Sequence, residues 1–111
     1  MKIKFLKFND NVKKPERKHY SDTGADVFLL DEVYLNEHET KVVPLGFGLD
    51  IPNGYTARLQ VRTSIARRGI LVQQCAIDAG YKGEIHMIVV NLNDYPELFE
   101  KGERLGYMEV Y

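Results

Sequence analysis

Four short stretches of this sequence bring acids, hydroxyls and cations together at turn-forming positions. In "AIDAGYKGEI" (76–85) a lone carboxylate, Asp78, stands directly behind Ala76 and Ile77, and Gly80 and Gly83 flank Tyr81-Lys82. A β-hairpin with its tip at Gly80 to Gly83 accounts for the glycines. It does not account for the aromatic, which could pack on a flat ligand while the neighbouring carboxylate orients and deprotonates a water. In "SDTGADV" (21–27) Asp22 and Asp26 flank a glycine. That is an ordinary polar turn feeding a strand, or else Asp26 faces a hydrated Mg²⁺, a cation often held by one carboxylate plus substrate phosphates. "RTSIARRGI" (62–70) joins a guanidinium to two hydroxyls and a helix start. Arg62, Thr63 and Ser64 could make an anion site there, or a hydroxyl could simply cap the helix; both use the same geometry. Arg67 and Arg68 read as a solvated face. In "KGERLGY" (101–107), Glu103 and Arg104 form either a surface ion pair of little worth or a cation able to reach phosphate. The histidines at 19, 38 and 86 show no metal-ligand spacing, and Cys75 has no partner in view.

Strands must position these groups. Ile3 and Phe5 alternate with lysines in "KIKFLKF", and "ADVFLL" (25–30) reads as a second strand. "KVVPLGFGLDI" (41–51) is extended but interrupted by Pro44, Gly46 and Gly48. Asn53-Gly54 is a strong hairpin signal. After it Tyr55, Ala57, Leu59 and Val61 alternate with Thr56, Arg58, Gln60 and Arg62. "EIHMIVVN" (84–91) and "RLGYMEVY" (104–111) are further strands, His86 on the former being structural or surface, and "NDYPELFEKGE" (93–103) reads as a polar loop. Only residues 63–69 are helical in pattern, for one or two turns before Gly69 stops them. Many short strands with frequent turns predict an all-β fold: a distorted jelly-roll β-barrel with at most one short helix near 63–69.

With 111 residues the chain is expected to form one domain, residues 1–111, small enough that self-association would help its stability. The hydrophobic fraction is 44% and the charged fraction 28%, as in soluble globular proteins. A net charge of −1 supplies no field for nucleic acid or anionic lipid, so any anion site is local. One cysteine excludes an intrachain disulfide and a Cys-rich metal site, and fits a reducing compartment. The N-terminus lacks the apolar run of a signal peptide, and no stretch is long enough to span a membrane.

Taken in order, "SDTGADV", "RTSIARRGI", "AIDAGYKGEI" and "KGERLG" resemble the four successive motifs of the trimeric deoxyuridine triphosphatases (dUTPases), over nearly the whole chain from about Tyr20 onward. The resemblance implies a β jelly roll that hydrolyses dUTP to dUMP and pyrophosphate with Mg²⁺ as cofactor. It implies a homotrimer with sites between subunits, a cytoplasmic location, and neither nucleic acid nor membrane as partner. Asp78 would activate the water that attacks the α-phosphorus. Asp26 would hold the water shell of the Mg²⁺. Arg62, Thr63 and Ser64 would contact the phosphates, and Arg104 would be a phosphate or structural contact. Tyr81 would pack on the deoxyribose and leave no room for a 2′-hydroxyl, and Gly83 and Glu84 would also be substrate-binding residues. Main-chain groups around Cys75 to Tyr81 would read uracil.

The chain departs from the pattern at four places. Thr63 stands where the family usually has Ser, Tyr107 where the fourth motif usually ends in Gln, and Ala25 where an aromatic is usual. The glycine-rich C-terminal arm of the family, which closes over uracil and the γ-phosphate, has no counterpart among these residues. A mobile tail beyond Tyr111 is the expectation, and without an arm turnover should be slow. Two alternatives remain. One is a dUTPase-like nucleotide-binding or regulatory protein with little turnover. The other is a relative of dCTP deaminase, a family that is similar in "RTSIARRG" and "IDAGY" but needs a catalytic Glu where this chain has Ile88.

Overall fold

A computed structural model describes residues 3–17 and 24–111. Ser21, Asp22 and Thr23 of the first motif, and His19, lie outside the described residues. In chain order the elements are β1 (Lys4–Lys7), β2 (Ala25–Phe28), β3 (Val33–Leu35), β4 (Thr40–Pro44), β5 (Phe47–Asp50), β6 (Thr56–Val61), α1 (Thr63–Ala66), β7 (Ile70–Val72), β8 (Ala76–Asp78), β9 (His86–Asn91), β10 (Glu97–Phe99) and β11 (Arg104–Val110). The fold is the expected all-β one, with its one described helix inside 63–69. No described helix is long and apolar enough to cross a membrane.

The strands form a four-stranded sheet β2-β11-β6-β8, a three-stranded sheet β4-β9-β7 and the pairs β1-β5 and β10-β3. Every pairing is antiparallel. Alternation along each strand delivers one apolar row to a common interior. Ala57 and Leu59 of β6, Met87 and Val89 of β9, Phe47 of β5, Leu35 of β3 and Phe99 of β10 are all within 1% of complete burial. Phe5 stacks on Phe47 with ring centroids 5.3 Å apart, which seats β1 on that core. The other face of the four-stranded sheet carries Asp26, Tyr107, Gln60, Thr56 and Asp78.

Three local expectations are corrected. Pro52 to Tyr55 form a turn, with the Tyr55 N–H on the Pro52 carbonyl and Gly54 at φ 88°, as Asn-Gly predicts. It is not a hairpin, because β5 pairs with β1 and β6 with β11 and β8. The stretch 78–85 is likewise no hairpin: β8 joins the four-stranded sheet and β9 the three-stranded one, so the turn is a crossing between sheets. "NDYPELFEKGE" is not all loop. Glu97–Phe99 pairs with Val33–Leu35, driven by complete burial of Phe99.

Candidate functional site

Two clusters form, one at each edge of the four-stranded sheet. At the first edge, Asp26 lies on β2 opposite Tyr107 of β11, which in turn lies opposite Gln60 of β6. Strict alternation back from the inward Met108 and Gly106 would turn Arg104 toward the core. A register shift between Arg104 and Gly106 prevents this. The bulge turns Leu105 fully inward as well and pairs Arg104 with Phe28, on the outer side. Arg104 Nη1 then donates to Asp26 Oδ2 at 2.9 Å, the Asp26 side chain being only 16% exposed. Arg62 follows β6 on the same side, and its Nη1 donates to the Arg104 carbonyl at 3.0 Å.

Thr63 and Ser64 come next, both exposed, as the first residues of α1. The residue at the cap position is Arg62, in extended conformation and with no side-chain cap bond. Neither hydroxyl therefore acts as the cap, and both face solvent beside Arg62. One motif from each of three distant parts of the sequence thus meets at one end of the sheet, across β2, β11 and β6.

Tyr107 completes this edge. Its ring lies against Gly24, so closely that a Cβ there would collide with it. Burial, and secondarily the Glu109 carboxylate, push its phenol above the ordinary 10.0. Glycine at 24 is what permits an aromatic at 107.

At the opposite edge, β8 pairs with β6 so that Asp78 stands opposite Thr56. Ile77 turns into the core and Asp78 out to solvent, which answers why a carboxylate follows an apolar residue here: the buried side chain fixes its direction. The Tyr81 N–H then closes a turn onto the Asp78 carbonyl. Tyr81 is 47% exposed, and its hydroxyl donates to the Glu84 carbonyl at 2.6 Å. The hollow beside this turn holds about 260 Å³ and is lined by Leu59, Cys75 to Asp78, Tyr81 and Glu84 to His86. Its size and mixed lining suit one flat, polar-edged ring. A Cβ at Gly83 would sit 2.9 Å from the Tyr81 oxygen, so glycine leaves room for the ring over the turn. Glu84 Oε2 accepts the Gly46 N–H at 2.9 Å, and Oε1 lies 3.9 Å from His86 Nε2. Cys75 and His86, whose side chains carried no functional expectation, line the hollow as well.

The two clusters are far apart within one chain. From Asp26 to Asp78 is three strand spacings across and, between Gln60 and Thr56, four residues along. That is about 14 Å by about 13 Å, roughly 20 Å overall. The cation-and-hydroxyl cluster and the hollow beside Asp78 thus lie well apart on the sheet. Among the described residues no group of three or more His, Cys, Asp or Glu could by itself hold a metal ion.

The profile of the dUTPase family matches residues 10–108. A deoxyuridine 5'-triphosphate nucleotidohydrolase from Hydrogenobaculum is 32% identical over 114 residues, covering 99% of this chain and 79% of the relative. Its namesake from Clostridium novyi is 31% identical, covering 99% and 80%. Among solved structures, the dUTPase of Staphylococcus bacteriophage 80alpha with dUPNHPP superposes with a TM-score of 0.93 at 24% identity, covering 99% of this chain and 82% of that one. The dUTPase of phage phi11 of S. aureus, in a structure describing a structural Mg(II) ion, gives 0.94 at 20% identity, covering 100% and 90%.

Proposed function

This chain belongs to the dUTPase family, and on that premise we propose how its own residues perform the family's reaction, the hydrolysis of dUTP to dUMP and pyrophosphate. The observation that carries the assignment of roles is the hollow of about 260 Å³ with Asp78 and Tyr81 on its lining. Uracil enters it against the main chain of Cys75 to Tyr81. The Tyr81 ring packs on the deoxyribose where a 2′-hydroxyl would have to stand. Asp78 accepts a proton from a water whose oxygen attacks the α-phosphorus. The bond to the α,β-bridging oxygen breaks and pyrophosphate leaves. Exposure of Asp78 leaves it open to such a water.

The phosphates belong at the other edge of the sheet, with Arg62, Thr63, Ser64 and Arg104. The roughly 20 Å between the edges supports a site assembled from two chains, with Asp78 and Tyr81 from one and the phosphate contacts from its neighbour. A homotrimer is the reading that the family resemblance supplies for this assembly. Asp26 offers the hard carboxylate oxygen that Mg²⁺ prefers, and a cation that keeps most of its waters needs few protein oxygens, so the residues present fit it. When bound, Mg²⁺ would neutralise triphosphate charge. Arg104 orients the Asp26 carboxylate for that task by the 2.9 Å bond. Gly83 and Glu84 act in this reading through the shape of the turn rather than by touching dUTP. The reading places the enzyme in the cytoplasm with its nucleotide substrate.

A second reading, nucleotide binding with little turnover, has one observation in its favour. Tyr107 fills the space over Gly24 beside Asp26 with an aromatic ring rather than an amide. The experiment that decides is pyrophosphate release with Mg²⁺ from dUTP, dCTP and UTP, on this chain and on Asp78→Asn. Cleavage of dUTP alone, lost in the variant, is expected. Binding of dUTP without cleavage would favour the second reading, and no binding would sink both.

A further inference from the structure

We propose that Glu84 is a positioning residue for sugar selection: anchored on the Gly46 N–H, it fixes the turn whose carbonyl holds the Tyr81 ring at the mouth of the hollow. This rests on the reading of Tyr81 as the group that leaves no room for a 2′-hydroxyl.

An aromatic side chain that is 47% exposed at a turn has several rotamers open to it. A steric gate made of such a ring discriminates only if the ring is held. Two features hold it. The Tyr81 hydroxyl donates to the Glu84 carbonyl at 2.6 Å. The ring also lies over Gly83, where a Cβ would stand 2.9 Å from the phenol oxygen and 3.0 Å from Cζ. The gate is therefore only as rigid as the backbone at Glu84.

That backbone is clamped to the link between β4 and β5. The Ile85 N–H donates to the Phe47 carbonyl at 2.8 Å, and the Leu45 N–H to the Ile85 carbonyl at 3.0 Å. Between Leu45 and Phe47 sits Gly46, buried and at φ 79°. A buried N–H needs an acceptor, and Glu84 Oε2 is that acceptor at 2.9 Å. The bond is charge-assisted and spans 38 residues of sequence, so it ties the turn to the link between β4 and β5. The backbones also touch directly, since a Cβ at Gly48 would come within 2.5 Å of the Gly83 carbonyl. Removing the Glu84 carboxylate leaves the Gly46 N–H without its acceptor and loosens one of three ties on the carbonyl that holds Tyr81.

The test compares E84A, E84Q and Y81F with the parent, reading the ratio of kcat/KM for dUTP to that for UTP. An added hydroxyl is rejected by about a hundredfold where only shape excludes it, so loss of the tie should lower the ratio about tenfold in E84A. The change should come more from KM than from kcat. E84Q keeps an acceptor oxygen and should retain the ratio. Y81F and E84A should be non-additive, because both break the same chain of contacts. A second readout needs no turnover. In protein carrying ¹³C-labelled tyrosine, the resonance that vanishes in Y81F should shift in E84A and stay in place in E84Q. E84D, one methylene shorter, replaces E84A should the latter not fold.

A parental ratio together with an unmoved Tyr81 resonance in E84A would overturn the proposal. So would an E84Q variant as impaired as E84A, since Glu84 would then act on substrate through its charge. If the parent cleaves no dUTP, the assigned function fails and sugar selection fails with it. The labelled tyrosine still decides whether Glu84 controls Tyr81.

Discussion

At the scale of single residues, environment separates groups that look alike in the sequence. Asp26 and Asp78 both follow an apolar or small residue on a strand. One is held by Arg104 at 2.9 Å and the other stands open to solvent. In the proposed reading only the second takes a proton from water, so Asp78→Asn should reduce dUTP hydrolysis by about 10²–10⁴-fold while dUTP binding persists. Pyrophosphate release and a binding titration on the same sample check both halves. Tyr107 gives a prediction with a sign. Burial raises its phenol above the ordinary 10.0, so the folded state favours the neutral form. That contribution is complete below about pH 10 and is lost as pH rises through the higher folded value. The parent should therefore lose melting temperature between pH 9 and pH 11 (roughly one unit either side of the free phenol) more steeply than Tyr107→Phe. Equal slopes for the two proteins would remove this group from the alkaline response.

At the scale of elements, alternation was legible wherever a strand had a single wet face. The strand Thr56–Val61 places Ala57 and Leu59 in the core and Arg58 and Gln60 outside, as period two requires. Legibility failed where a long-range partner overrode composition. Glu97–Phe99 sits in a polar stretch and becomes a strand only because Val33–Leu35 presents it an edge. It failed also at the last strand, where the bulge reverses Arg104, because a register shift leaves no mark in the residue pattern. One buried amide holds this part of the fold together. Asn91 is completely buried, and its Nδ2 donates to the carbonyls of Asn36 at 3.1 Å and Tyr95 at 2.9 Å. Its Oδ1 accepts the Asn93 N–H at 3.0 Å. Asn91→Ala would remove these bonds and leave a gap at a fully buried position, and should cost about 1–3 kcal/mol. Urea unfolding at fixed protein concentration should show a lower midpoint at unchanged slope.

At the scale of the whole molecule, the roughly 20 Å between the edges of one sheet governs what the chain can do alone. In the proposed reading, Asp78 and the Arg62 cluster reach one substrate from different copies. Complementation follows. Asp78→Asn and Arg62→Ala should each be nearly inactive, yet equal amounts unfolded and refolded together should recover about a quarter of the parental sites, those pairing an intact Arg62 with a neighbour's intact Asp78. A mixture no more active than its components would mean that each site is built within one chain. Activity should also fall on dilution below the concentration at which the assembly dissociates, in step with the mass measured by light scattering.

The sequence by itself determined the family. Asp26, Arg62, Thr63, Ser64, Asp78, Tyr81 and Arg104 stand in four short motifs whose order identifies them. Alternating strands with frequent turns also determined an all-β fold. These are local facts, written in residue types and spacings of a few positions. What only the tertiary structure decided was which groups meet. Strand pairing across β2, β11, β6 and β8 joined three motifs at one end of the sheet and left the Asp78 motif on the edge strand β8. A single bulge turned Arg104 outward, and an anchor on Gly46 gave Glu84 its part in holding Tyr81. Each of these depends on hydrogen bonds between residues tens of positions apart, and such partners are chosen by packing of the common core, not by any property of the stretch itself.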